Sequence, residues 1–157
     1  MHSLALQQLN RAGASGPGAT KAARVSFDFM VGGKSLLAEL VNADDGKYET
    51  LEAIAEGFMG CFVEGCESDN IKKSSQLVAS TAPDTEEGRY LLYVCPECGD
   101  IGCGAYGARI RLTESEVEWY DFAYENGYES GRALPSVGPF CFSRTEYAAV
   151  IASAGAA

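Results

Sequence analysis

The 157-residue chain has the length of one compact domain, and its 46% hydrophobic and 22% charged residues are typical of a globular protein rather than a disordered one. A formal net charge of −10 disfavours binding to nucleic acid phosphates and to anionic membranes. No apolar run approaches the roughly 20 residues of a membrane span, so we expect neither a nucleic acid nor a membrane partner.

The sequence also bears on location and chemistry. The N-terminus shows no charged segment followed by an apolar one, so we expect no secretory signal and a cytoplasmic location. In that reducing setting, six cysteines favour free thiols or metal ligands over disulfides. The only histidine is His2, so hydrolases and zinc proteases that need a histidine inside the fold are not expected. A non-enzymatic protein is therefore favoured.

The first segment predicts a tail followed by a strand and a turn. Residues 1–23, which end in GASGPGATKAA, are rich in Gly, Ala and Ser and predict a flexible tail before a single α+β domain over 24–155. The VSFDF segment then alternates apolar residues with Ser26 and Asp28, which predicts a half-buried strand. The VGGK segment after it predicts a tight hairpin turn, because glycine tolerates positive φ.

The middle of the chain predicts two helices and a sheet. DDGKYETLEAIAEGFMG has apolar residues at helical spacing and predicts an amphipathic helix, and residues 69–79 predict a second helix. The segments RYLLYV, AYGARIRL and VEWYDFAY are β-prone and predict an antiparallel meander. We therefore predict an α+β fold, in which two or three helices cover one face of an antiparallel sheet.

The end of the chain carries a helix start signal. Ser143 and Glu146 have the spacing of a capping box, and Phe142 and Tyr147 flank it at the positions of a hydrophobic staple. This pattern predicts a final helix from about residue 144 to residue 153.

Three cysteines cluster in the segment LLYVCPECGDIGCG, between two strands of the predicted meander. Cys95 and Cys98 have the spacing of zinc knuckles and rubredoxin-like turns, and Cys103 follows on the returning segment. The pattern predicts a metal site, with zinc as the possible ion. A structural zinc needs four ligands. The fourth ligand would come from water or from one of the remaining cysteines, Cys61, Cys66 and Cys141.

The same cysteines allow two other interpretations. Cys95 and Cys98 could act as a redox dithiol, although the segment lacks the following helix that lowers thiol pKa values in thioredoxin-like proteins. The thiols could also be small, partly buried side chains in a glycine-rich hairpin. The residues alone leave all three interpretations open.

An acidic aromatic stretch predicts a binding face. All 22 acidic residues lie after residue 24, and residues 114–129 hold six of them with no base among several aromatic residues. Carboxylates steer basic partners, and aromatic rings supply rigid contact area. The predicted partner-binding residues are Glu114, Glu116, Glu118, Trp119, Tyr120, Asp121, Glu125 and Glu129. The alternative is a solvated edge strand and loop.

Several segments together resemble a known group of proteins. LYVCPECGDIGCGAYGARI, VEWYDFAYEN and GPFCFSRTEY, with FDFMVGGKSL before them, resemble a family of small bacterial proteins over roughly residues 25–150. The chain is also similar in general style to the immunity proteins that protect bacteria from polymorphic toxins, which often carry a late F.F....Y segment before a C-terminal helix. The resemblance implies no catalytic residues. It also implies a different residue at Cys141 in relatives, which disfavours Cys141 as a zinc ligand.

These observations lead to one expectation about function and two alternatives. We expect a small acidic protein that binds a basic protein partner through residues 114–129, as an immunity or inhibitor protein does. The first alternative is a zinc-stabilised module of a larger assembly, and the second is a thiol oxidoreductase. Metal content and the reactivity of Cys95 distinguish them.

Overall fold

The computed structural model describes residues 1–18, 20–44, 46, 50–79 and 82–157. Nine strands and four helices lie within this part of the chain. The strands are β1 (Leu4–Arg11), β2 (Arg24–Val31), β3 (Lys34–Ser35), β4 (Met59–Gly60), β5 (Tyr90–Val94), β6 (Ala105–Leu112), β7 (Glu116–Glu125), β8 (Arg132–Ala133) and β9 (Phe140–Ser143). The helices are α1 (Leu36–Asp44), α2 (Leu51–Ala55), α3 (Glu67–Ala79) and α4 (Arg144–Gly155).

The strands form two antiparallel sheets. The first has the order β1-β2-β3, and the second has the order β4-β5-β6-β7-β8, with β9 paired to β7. The predicted α+β class and the antiparallel meander β5-β6-β7 are therefore confirmed. The described part of the chain has four helices rather than two or three, because α1 directly follows the β2–β3 hairpin in a segment for which no helix was predicted.

Strand β1 corrects the prediction of a flexible tail over residues 1–23. It pairs with β2 along its whole length, from Leu4 opposite Val31 to Arg11 opposite Arg24. Leu9 is buried in the core, which stabilises the strand by removing its side chain from water. The composition of residues 1–23 could not show that residues 4–11 form a strand, because β2, which pairs with them, lies beyond a polar, glycine-rich connection.

Strand β2 has buried polar residues on the face expected to be solvated. Ser26 is buried, and its hydroxyl accepts a hydrogen bond of 3.0 Å from the backbone N–H of Gly60 in β4. Asp28 is fully buried and accepts hydrogen bonds from Ser35 Oγ at 2.5 Å and from the Tyr93 hydroxyl at 2.6 Å. Both faces of β2 are therefore covered, and the expectation of a half-buried strand is wrong at these positions.

The two sheets meet at β4, where the backbones approach closely. A Cβ at Gly60 would lie 1.9 Å from the carbonyl oxygen of Phe27, so only glycine fits there. On its other side, the segment is bonded to the second sheet by the N–H of Cys61, which donates to Leu92 O at 2.9 Å. The residues of β4 thus join the first sheet to the meander.

The predicted helices are confirmed to different extents. Helix α3 confirms the helix predicted over residues 69–79, and α4 confirms the final helix. Phe142 and Tyr147 stack with ring centroids 5.9 Å apart, as a hydrophobic staple requires, whereas the Ser143 side chain makes no capping bond.

The amphipathic helix predicted after residue 43 is shorter than expected. It is confirmed only as α2, which begins after its cap Thr50, and residues 45 and 47–49 of the prediction lie outside the described residues. None of the helices in the described ranges combines the length and apolar character needed to cross a membrane.

Candidate metal centre

The three predicted ligand cysteines come together at the hairpin between β5 and β6. Cys95 directly follows β5, Cys98 ends the turn after it, and Cys103 closes a single 3-10 turn before β6. Their sulfur atoms all lie within 4.8 Å of one another, and the Sγ atoms of Cys98 and Cys103 are 3.3 Å apart. The structure therefore places all three where they could hold one metal ion.

The local backbone explains how residues 95–104, which we call the cysteine knuckle, bring the three thiols together. The N–H of Gly99 donates to Cys95 O at 2.9 Å, which closes the CPECG turn, and Gly99 has a φ of 67°. Gly104 has a φ of 95°, and a Cβ there would lie 2.3 Å from the hydroxyl oxygen of Tyr124. Gly99 needs glycine for its conformation, and Gly104 needs it for both conformation and space, which is how the chain can return Cys103 towards the first two thiols.

The first sheet holds the knuckle from outside. Arg24 Nε donates to the carbonyl of Pro96 at 2.8 Å, and Arg11 pairs with Glu97 at 2.7 Å. Arg11 is itself buried and also donates to Ala22 O at 3.0 Å. The β1–β2 hairpin therefore fixes the two residues that separate Cys95 from Cys98. No sequence signal pointed to Arg11, which lies in the supposed tail.

The electrostatics of the cluster favour one thiolate. Partial burial raises the pKa of the Cys95 thiol, but the backbone N–H groups of Cys98 and Glu97 and the neighbouring thiols outweigh it, so the pKa lies below its ordinary value. Hydrogen bonding to Cys98 and Cys95, together with their negative charge, raises the pKa of Cys103 to about 11. A second negative charge is therefore opposed by the first unless a cation joins them.

The three sulfur donors could bind one metal ion. Zinc–thiolate bonds of about 2.3 Å in a tetrahedral site place sulfur atoms roughly 3.8 Å apart, so the three thiols need to move by less than about 1 Å. Among the described residues, no fourth His, Cys, Asp or Glu joins the group. The three proposed sources of a fourth protein ligand, Cys61, Cys66 and Cys141, lie outside it. The Sγ of Cys141 instead donates to Glu116 Oε2 at 3.3 Å. A fourth ligand to a bound ion would therefore come from water or from another molecule.

A cavity of about 540 Å³ lies beside the cluster, between the hairpin and α3. Cys98 and Gly99 line it from the hairpin, and Cys66, just before α3, and Lys72, within α3, line it from the other side. Its charged side chains are Arg24, Lys72, Lys73, Asp69, Asp84 and Glu97. The lining therefore holds three basic and three acidic side chains.

The predicted partner-binding face is only partly available. Trp119 is 0% exposed, and its ring packs edge-on against Phe29 and Phe142, so the prediction is wrong for Trp119. Glu125 is 4% exposed and pairs with Arg89 at 3.0 Å, so it is wrong for Glu125 as well. Two of the predicted partner-binding residues therefore lie in the interior of the protein.

A bulge in β7 changes which side chains of the strand share a face. Gly107 faces Ala123 and Arg109 faces Tyr120, so two residues of β7 lie opposite one residue of β6. One of them, Asp121, has a φ of 53°. The extra residue reverses the alternation, so Trp119 and Phe122 face the core together. Period-two alternation would place Trp119 and Phe122 on opposite faces of the strand, and no residue type in VEWYDFAY marks the bulge.

The other predicted face residues differ in their availability. Asp121 pairs with Arg89 and with Arg109, each at 2.9 Å, and Glu118 pairs with Arg111 at 2.7 Å. The Arg111 guanidinium also lies 4.5 Å from the centre of the half-buried Tyr120 ring. Glu114, Glu116 and Glu129 are exposed and form no ion pair with another described residue.

Comparison with known proteins leaves the family open. The chain matches no protein-family model, no curated protein and no solved structure. The resemblance to small bacterial proteins and to immunity proteins therefore stays a prediction from the sequence.

Sequence reasoning missed an ion-pair network at the start of β5. Arg89 is 3% exposed, and its guanidinium bonds to Asp121 and Glu125 and lies 3.3 Å from Glu87. The N–H of Gly131 donates to Glu87 Oε1 at 2.6 Å, which, with Arg89, holds the pKa of Glu87 below its ordinary value. The only available signal was a single arginine next to the apolar run YLLYV.

Proposed function

We propose that the protein is a non-enzymatic acidic binding module whose sheet is fixed by zinc at Cys95, Cys98 and Cys103. The observation that carries the proposal is the convergence of these three thiols within 4.8 Å at the β5–β6 hairpin. Three sulfur donors favour a soft or borderline ion, and zinc accepts tetrahedral thiolate coordination without redox chemistry. The hairpin joins two central strands of the larger sheet, so a metal there restrains strands that span the molecule.

The residues around the thiols would prepare the site for the ion. The backbone N–H groups of Glu97 and Cys98 stabilise negative charge on Cys95, as they do in tightly turned thiolate sites. Bound zinc would supply positive charge that lets the other thiols ionise. Arg11 and Arg24 would hold the loop in place from the first sheet.

The charge of the protein supports a basic protein partner. A net charge of −10 accelerates encounters with cationic surfaces, and such attraction acts over about 8–10 Å at physiological salt. The exposed carboxylates of Glu114, Glu116 and Glu129 lie at the two ends of the 114–129 segment. A role as an immunity or inhibitor protein for a basic toxin or effector agrees with this charge and with the sequence resemblance.

Metal content after purification without chelators tests the zinc part of the proposal. We expect close to one zinc per chain in the wild-type protein and a loss of most of it in Cys98→Ser and Cys103→Ser. Cys66→Ser is the matched control, because Cys66 is also an exposed thiol but lies outside the cluster. Equal zinc in all of these proteins, or none in the wild type, would contradict the proposal.

A thiol oxidoreductase is the second candidate, favoured by the lowered pKa of Cys95 and the short distance between the Cys98 and Cys103 sulfurs. It requires a reactive Cys95 thiolate at neutral pH. The rate of iodoacetamide labelling of metal-free protein distinguishes the two candidates. Labelling of Cys95 no faster than that of Cys66 rejects the oxidoreductase.

A further inference from the structure

A second candidate site lies on the side of the hairpin occupied by the loops after β7 and before β5. We call it the acidic cleft, a depression of about 470 Å³ between loop residues 84–87 and 127–130. Ile101 of the cysteine hairpin and Glu125 at the end of β7 complete its lining. The cavity beside the cysteines has matched charges, whereas this lining carries no basic side chain.

The rim carboxylates of the acidic cleft are free to bind a cation. Glu86 and Glu129 are exposed, and neither forms an ion pair with any described residue. Glu87 is already bonded to Gly131 and to Arg89. Arg89 is shared among Glu87, Asp121 and Glu125, so its single positive charge does not neutralise the cleft.

A buried oxygen of Glu125, which lines the cleft, receives no hydrogen bond from the described residues. Glu125 Oε1 pairs with Arg89 at 3.0 Å, whereas Oε2 is buried and no described residue donates to it. A buried carboxylate oxygen without a donor is costly, and such atoms are rare in folded proteins. This atom belongs to a residue that lines the cleft, so a donor entering from the cleft would satisfy it.

An aromatic ring stands at the edge of the same cleft. Tyr128 is 82% exposed, although large aromatic side chains are usually covered. Its loop is ordered, because Asn126 Oδ1 accepts hydrogen bonds from the N–H groups of Tyr128 and Glu129 at 3.0 and 3.1 Å. The ring is therefore presented to solvent by a fixed turn rather than by a free end.

We infer that the acidic cleft binds an arginine side chain of the basic partner protein. The guanidinium pairs with the carboxylates of Glu86 and Glu129, stacks on the Tyr128 ring and donates to Glu125 Oε2. Arginine fits better than lysine because its planar head offers five N–H donors and stacks on aromatic faces. This inference rests on the proposed function, since it assigns the contact surface of the same acidic binding module.

The cleft also has a direct connection to the metal centre. A Cβ at Gly102 would lie 3.0 Å from the Tyr128 hydroxyl oxygen, and a Cβ at Gly127 would lie 3.0 Å from Ile101 Cγ2. Ile101 and Gly102 belong to the 3-10 turn that ends at Cys103. One wall of the cleft is therefore the segment that the metal would hold in place.

Titration of the purified wild-type protein with short peptides tests the inference. The probes are a capped tetra-arginine peptide, its neutral citrulline counterpart and a capped tetra-lysine peptide, at physiological salt. We expect tetra-arginine to bind tightest and to shift the backbone amide signals of Gly127, Tyr128 and Glu129 in NMR spectra. Equal affinity for citrulline or lysine peptides, or shifts elsewhere only, overturns the assignment.

Two sets of charge variants locate the binding surface independently. Glu86→Gln with Glu129→Gln removes two charges at the cleft, and Glu64→Gln with Glu67→Gln removes two exposed charges outside both the cleft and the 114–129 segment. We expect the cleft pair, and Tyr128→Ala separately, to weaken tetra-arginine binding about tenfold, and the control pair about twofold or less. Circular dichroism and zinc content establish that each variant is folded.

The outcomes separate the inference from the function on which it rests. If both variant pairs weaken binding equally, the acidic surface acts as a whole and the cleft assignment is wrong, while a basic partner remains supported. If the wild-type protein does not prefer arginine to citrulline at all, the cleft assignment and the basic partner both fail. Neither result changes the interpretation of the zinc content of the purified protein.

Discussion

The indole nitrogen of Trp119 donates a hydrogen bond of 3.2 Å to the hydroxyl oxygen of Tyr147. That hydroxyl in turn donates to the carbonyl of Leu77 at 2.8 Å. The chain of bonds joins β7, α4 and α3 through side chains that water does not reach. The only tryptophan thus helps to hold the helices onto the sheet and is not part of a contact surface.

Tyr147→Phe should destabilise the protein, because it leaves the Trp119 N–H and the Leu77 carbonyl buried without their shared partner. We expect a loss of about 1–3 kcal/mol in the free energy of unfolding, measured by urea denaturation. Tyr128→Phe removes a hydroxyl from an exposed ring and is the matched control, with an expected change below about 0.5 kcal/mol. Similar losses in both variants would show that the buried bonds contribute little.

Asp28 should make stability depend on pH in the acidic range. Burial raises the pKa of its carboxyl above the ordinary 3.8, against the effect of its hydrogen bonds from Ser35 and Tyr93. Between these two pKa values the folded state binds more protons than the unfolded state, so this group's contribution to stability falls as pH rises.

Asp28→Asn removes that titration. We expect the free energy of unfolding of wild type minus that of Asp28→Asn to decrease from pH 4 to pH 7 in urea titrations. Asp69→Asn, which removes an exposed carboxyl on α3, provides the comparison for a general charge effect. An increase in the wild-type advantage over the same range would contradict the assignment.

Substitution of Arg89 should destabilise the protein more than substitution of most other charged residues, because Arg89 pairs with the buried Glu125 carboxylate. Arg89→Ala leaves a buried carboxylate without its cation and should cost about 3–5 kcal/mol in urea denaturation. Arg111→Ala breaks the exposed pair with Glu118 and should cost about 1 kcal/mol or less. Combining Arg89→Ala with Glu125→Gln should recover part of the loss, and a purely additive loss would argue against a specific pair.

Gly104→Ala should weaken both the fold and the cysteine knuckle. A Cβ at this position would meet the Tyr124 hydroxyl at 2.3 Å, and the φ of 95° is unfavourable for alanine. We expect a loss of about 1–3 kcal/mol in unfolding free energy and a reduced zinc content.

Gly16→Ala is the control for that substitution, since a Cβ there has no neighbour within 4 Å and its φ lies outside the left-handed region. It should leave thermal stability and zinc content unchanged. Full zinc content and stability in Gly104→Ala would mean that the knuckle tolerates a shift of the following strand.

Local patterns in the sequence were sufficient for much of the framework. The meander, the glycine turn after β2 and the final helix all arise from residues within a few positions of one another. The spacing of Cys95, Cys98 and Cys103 likewise predicted their convergence, because glycines with positive φ turn the chain back between them. Hydrophobic periodicity and backbone sterics are short-range properties, and a single sequence displays them directly.

Other features were decided only when distant segments met. Residues 4–11 became a strand because β2 lies beside them, and Asp28 was buried because Tyr93, far along the chain, covers it. The bulge at Asp121 put Phe122 on the same buried face as Trp119. Burial and ion pairing depend on which elements pack together in three dimensions, and that information is spread over the whole chain rather than held in any one segment.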